Sequence, residues 1–135
     1  ANGRTRIVRD VDVDETILRD FNLVLLGSGQ SNALTNRIME RLPLTVGNGR
    51  VQLQDRTHTG DKAVVLLHPN PLNPDKLIAL FAGTTPRSEL LSLYFLPLYS
   101  GSSTPDYIIF NDSVRKYVWG GVEDAGFFSN QWSIE

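Results

Sequence analysis

A chain of 135 residues has the length of one domain, and folding buries about two thirds of its extended surface. With 41% apolar and 21% charged residues it is not a disordered segment. A net charge of −2, with no basic run longer than Arg115-Lys116, excludes the clustered cations of a nucleic-acid surface, and the absence of cysteine excludes disulfides, thiolate metal sites and cysteine nucleophiles.

The first residues, Ala1-Asn2-Gly3-Arg4, read as a processed end or an internal boundary. The expectation is a single α/β domain over 1–135 that belongs to a longer protein. Arg6-Ile7-Val8-Arg9 reads as a short edge strand. Asp14 suits a helix N-cap, with Val13 and Leu18 placed as a hydrophobic staple, so a helix follows through Phe21. Asn22 to Gly27 is a continuous apolar run ending in glycine, as in a strand covered on both faces. The loop Gly27-Ser28-Gly29-Gln30-Ser31-Asn32 follows. Leu34, Ile38 and Leu42 then repeat at helical spacing up to Pro43.

Leu44-Thr45-Val46 and Val51-Gln52-Leu53-Gln54 alternate about Gly47-Asn48-Gly49, which predicts a hairpin turning at Asn-Gly. Asp55 to Lys62 reads as a polar loop. Ala63–Leu67, Leu77–Gly83 and Tyr107–Phe110 are three more apolar strands. Pro69-Asn70-Pro71-Leu72-Asn73-Pro74 between the first two reads as a stiff crossover or a preformed wall. A helix is expected from Ser88 to Tyr94, and a loop around Pro97 and Gly101–Pro105. The aromatic tail (Tyr117, Trp119, Phe127, Phe128, Trp132) suits either an interface or the packing of a last helix.

Apolar strands separated by helices predict a mainly parallel sheet with helices on both faces, Rossmann- or flavodoxin-like, plus the hairpin as an excursion. In such a sheet ligands bind beyond the carboxyl ends of the strands. Those ends carry Gly27–Asn32, His68–Pro71, Gly83–Pro86 and Asn111–Ser113, all expected on one rim. The candidate ligand-binding residues are therefore Gly27, Ser28, Gly29, Gln30, Ser31, Asn32, His68, Asn70, Thr84 and Asn111.

The Gly27 loop opens a helix, where free N–H groups favour an anion or a sugar hydroxyl. It lacks the third glycine of a dinucleotide fingerprint and the lysine of a P-loop, so a tight turn with a capping serine is the simpler reading. Gly29-Gln30-Ser31-Asn32 resembles the nucleophile block of acetylesterases. Ser31 would then need an imidazole, and the two histidines are His58 and His68. That family keeps its histidine near the C-terminus, where this chain has none. His68 is the one histidine at a strand end, so Ser31 with His68 is the only triad-like pair to consider. His58, in the polar loop, is expected to be solvated. Two histidines without a carboxylate pair beside them make no metal site, and no cofactor is expected.

The pattern of Asn22–Gly27 with Ser31-Asn32, Arg41–Leu44, His68–Pro74 with Ala82-Gly83-Thr84, Pro105–Phe110 and Gly126–Trp132 resembles the C-terminal region of bacterial secreted prolyl-oligopeptidase-like or esterase-like α/β-hydrolases. The resemblance implies a Rossmann-like accessory domain, with the catalytic serine carried elsewhere. It further implies a catalytic hydrolase domain in the same parent chain or complex as partner, and an extracellular or periplasmic setting. A non-catalytic accessory or binding domain is the leading reading. A small serine esterase using Ser31 and His68, and an anion- or sugar-binding domain at the Gly27 loop, are the alternatives. No membrane partner is expected, since no apolar run approaches the ~20 residues of a span.

Overall fold

The computed structural model describes residues 5–95 and 105–134. The expected loop at Pro97 and Gly101 lies outside them, as do Ala1 to Arg4. Thr5 to Arg9 belong to no helix or ladder, so the strand expected at Arg6–Arg9 is absent. Helix α1 (Glu15–Asp20) starts where the sequence places it, with the Asp14 carboxylate accepting from Ile17 N–H at 2.9 Å.

Strand β1 (Leu23–Leu26) leads into helix α2 (Ala33–Ile38), capped by Asn32 and continued by a 3-10 turn over Met39–Arg41. Strands β2 (Leu44–Gly47), β3 (Arg50–Leu53) and β4 (Arg56–Thr59) form a separate antiparallel sheet. The predicted turn is present: Asn48 and Gly49 both have positive φ, as a two-residue turn of the primed type requires. The stretch Asp55–Lys62, read as loop, contains β4.

Strands β5 (Ala63–Asn70) and β6 (Asn73–Gly83) follow, then helix α3 (Pro86–Ser92), strand β7 (Tyr107–Phe110) and strand β8 (Val122–Gly126). The main sheet has the order β1-β6-β5-β7-β8. Only β1 and β6 run parallel; β5–β6, β5–β7 and β7–β8 are antiparallel. The expectation of a helix-flanked parallel sheet is thus wrong, and the tail ends in a strand rather than a helix.

The reason lies in the proline-rich stretch. A parallel crossover needs a dozen residues or more. Here Asn70 already pairs with Asn73, leaving Pro71 and Leu72 as the whole connection. Pro71 fixes the backbone for a reversal, and the Asn70 side chain accepts from Leu72 N–H at 2.9 Å. What resembled a crossover is the turn of the longest hairpin in the chain.

One face of the main sheet is sealed by α2 and the small sheet. Leu25, Leu66, Ile78, Leu80 and Ile109 pack there against Leu34, Ile38, Val51 and Leu53. The other face is covered in part by α3, where Leu91 meets Ala63, Ile108, Phe110 and Val114. Gly83 permits this close approach, because a Cβ there would run into the backbone of Ser88 and Glu89. Gly83→Ala is therefore expected to lower stability by about 1–3 kcal/mol through overpacking. Urea unfolding checks this, and an unchanged midpoint would show that α3 can shift at no cost.

Candidate functional site

Strand directions decide which predicted residues meet. β1, β6 and β7 run the same way, so Gly27–Asn32, Gly83–Pro86 and Asn111–Ser113 share one rim of the sheet. His68 does not join them. It pairs with Ile78, which also pairs with Leu23 at the beginning of β1. Ser31 lies beyond Leu26, at the other end of that strand. The ladder alone separates His68 from the strand end by ~10 Å lengthwise and ~10 Å across two strands. No imidazole reaches Ser31, so the esterase constellation of Ser31 with His68 is not assembled.

The rim residues are already partnered within the chain. The Glu89 Oε1 atom accepts from Ser28 N–H at 3.0 Å, from Ser28 Oγ at 2.8 Å and from Ser31 Oγ at 2.7 Å. Burial opposes this carboxylate's charge, but the three donors outweigh it and hold its pKa below the ordinary range. Gly27, at φ 113°, gives the loop the conformation that lets Ser31 turn back, and a Cβ there would collide with the Ser31 hydroxyl. Asn32 accepts from Thr35 N–H and donates to the Leu26 carbonyl. Gly29 packs on Asn36, and Gln30 is exposed. An anion thus occupies the loop already, supplied by α3 of the same chain.

Thr84 Oγ1 donates to the Gly60 carbonyl and accepts from Lys62 N–H. Asn111 donates to Glu123 at 2.7 Å and caps the turn at Ser113. Asn70 sits in the hairpin turn at the opposite rim.

The sequence reading missed His58. Far from solvated, its side chain is 16% exposed, with Nδ1 3.1 Å from Glu123 and Nε2 3.3 Å from Asp124. Lys62 also pairs with Glu123, and Arg56 with Asp124 at 3.0 Å. These charges tie β4 of the small sheet to β8 of the main one. The partners lie 65 and 66 residues apart, so no local spacing announces them. Among the described residues no group of three side chains is placed to hold a metal ion. No described helix is long and apolar enough to cross a membrane.

A cavity of about 720 Å³ lies along β1 and reaches the rim at Ser31 and Asn32. It runs between the segment Thr5–Arg9 and β1, over Val13, Ile17 and Phe21. β1 is the edge of the main sheet. Gly27 N–H bonds the Phe81 carbonyl at 2.8 Å, and alternate residues of a parallel strand bond the same neighbour. Val24 and Leu26 therefore turn their main-chain groups outward. The Leu26 carbonyl is met by Asn32, and among the described residues no backbone hydrogen bond closes the rest of that edge. Val24 and Leu26 are 62% and 56% exposed.

Comparison with known proteins gives no match among family models, curated protein sequences or solved structures.

Two outcomes follow for the polar groups. Glu89→Ala leaves the buried Ser28 N–H without a partner and should cost about 1–3 kcal/mol, whereas Ser31→Ala, which removes one exposed donor, should cost under about 1 kcal/mol. Equal thermal shifts for the two variants would refute the closed loop. For Glu123, burial again opposes the charge, and hydrogen bonds from Lys62, Asn111 and His58 prevail, so its native pKa lies below the ordinary 4.5. A lowered native pKa means stability that is full above the unfolded value and lost as pH falls through the native one. Glu123→Gln should therefore be less stable than the parent at neutral pH, with the gap closing as the pH falls below 4.5 in urea titrations. A gap independent of pH would contradict the assignment.

Proposed function

We propose that this domain is a non-catalytic binding module, and that it receives an extended polypeptide segment along β1. The observation that carries this is the combination at one place of an unpaired sheet edge, exposed Val24 and Leu26, and a cavity of about 720 Å³ roofed by Thr5–Arg9. An added strand satisfies outward N–H and C=O groups and lays alternate side chains against the apolar lining. The lining is predominantly apolar, with Leu23, Leu25 and Leu34 on the inner side. The absence of an imidazole beside Ser31 supports the non-catalytic half of the reading. The resemblance of the sequence to accessory regions of secreted hydrolases supports assigning the segment to a catalytic domain of the same parent chain or complex, outside the cytoplasm.

The test is a titration of the 15N-labelled domain with the blocked pentapeptide acetyl-Thr-Val-Thr-Val-Thr-amide, with decanoate as a purely apolar control. The peptide should shift the Val24 and Leu26 amides and slow their hydrogen exchange. Val24→Lys places a charge on the edge and should abolish those shifts while changing stability by less than about 0.5 kcal/mol, since Val24 is largely exposed. Shifts with decanoate alone would make the cavity a site for small apolar molecules and end the strand-addition reading.

A further inference from the structure

A second cavity, about 370 Å³, lies at the rim opposite the Gly27 loop, between the small sheet and the C-terminal tail. Among the described residues three non-glycine residues have φ in the left-handed region: Asn48, Gln54 and Trp132. Asn48 belongs to an Asn-Gly turn, where that conformation is ordinary. The other two have no such excuse, and both line this cavity. Gln54, at φ 55°, opens the two-residue turn between β3 and β4, a position where glycine is usual. Trp132, at φ 59°, sits in the reversal that joins Ser129 to Ser133. Strained conformations kept by residues with large functional side chains gather where those side chains are used.

His68 stands between them. Its Nδ1 atom is 2.8 Å from the Pro69 carbonyl, which can only accept, so Nδ1 carries the hydrogen and Nε2 the lone pair. The ring is held edge-on by Phe128 at 5.8 Å and Trp132 at 6.0 Å. Burial holds its pKa below the usual histidine value, so the ring is neutral at neutral pH. Among the described residues no hydrogen bond engages Nε2, the Gln54 amide, or the side chains of Glu40 and Arg41 at the mouth.

The chemistry narrows the ligand. A metal ion lacks a set of ligating side chains. An anion suits Arg41 and offends Glu40, and a cation does the reverse. A hydroxyl both donates and accepts, so several hydroxyls on one ring can meet the imidazole, amide, carboxylate and guanidinium together. The C–H face of such a ring packs on an indole. We propose that the cavity bounded by Gln54, His68 and Trp132 binds a saccharide ring.

The experiment is an NMR titration of the whole domain with glucose, galactose, mannose, xylose and N-acetylglucosamine at tens of millimolar. At least one sugar should give saturable shifts at the Trp132 indole N–H and the Gln54 amide. His68→Phe keeps the aromatic packing but removes the acceptor, and should weaken that binding about tenfold, the loss of one hydrogen bond. Gln54→Gly relieves the left-handed strain, so it should raise the melting temperature while weakening the sugar; it serves if His68→Phe does not fold. The proposal is overturned if no sugar shifts these residues, if both folded variants bind as the parent does, or if glycine or phosphate competes equally well. The pentapeptide reports on Val24 and Leu26 instead, so the two sites fail separately.

Discussion

The reversal at Pro71-Leu72 sets the direction of everything around it. β5 and β6 are the longest strands and lie at the middle of the main sheet, so their antiparallel pairing dictates how each neighbour must run. β1 joins β6 in parallel because the chain between them travels through α2, the small sheet and β5 before it returns. β7 pairs with β5 and so points with β6, which brings Asn111 to the same rim as Gly27 and Thr84. The same reversal sends His68 to the other rim. One two-residue turn thus decides that the chain's best nucleophile candidate and its strand-end histidine never meet.

What the shared rim carries is a closed set of polar contacts. Glu89 fills the serine loop, Thr84 braces Gly60 and Lys62, and Asn111 holds Glu123, which in turn meets Lys62 and His58. Buried polar groups demand partners, and here the chain supplies them from its own segments, some of them more than 55 residues apart. The rim works as a clasp between α2, α3 and the small sheet, and it leaves the open main-chain groups to β1.

Local signals were legible wherever the relevant partner lay close in sequence. Asp14 as a cap, Asn48-Gly49 as a turn and the apolar cores of β1, β5, β6 and β7 follow from spacing within a few residues. Strand direction was not legible in the apolar runs, since Val64-Val65-Leu66 reads alike in a parallel and an antiparallel sheet. The brevity of the connection at Pro71-Leu72 held the answer, and the prolines disguised it as a stiff linker. β4 was missed because Arg56-Thr57-His58-Thr59 has no apolar residue, being an edge strand with polar side chains. His58 and Glu89 gain their roles from partners dozens of residues away, which no pattern within one segment can display.

The two tryptophans stand in unlike surroundings, and this has an optical consequence. Trp119 is 69% exposed, whereas the Trp132 ring lies 6.0 Å from that of His68. Protonated imidazole quenches indole emission far more strongly than the neutral ring does. The fluorescence of the chain therefore divides into a red-shifted component from Trp119 that ignores the state of His68 and a second from Trp132 that dims as His68 takes up a proton. The fold carries its own spectroscopic gauge at the mouth of the smaller cavity, with no dye attached.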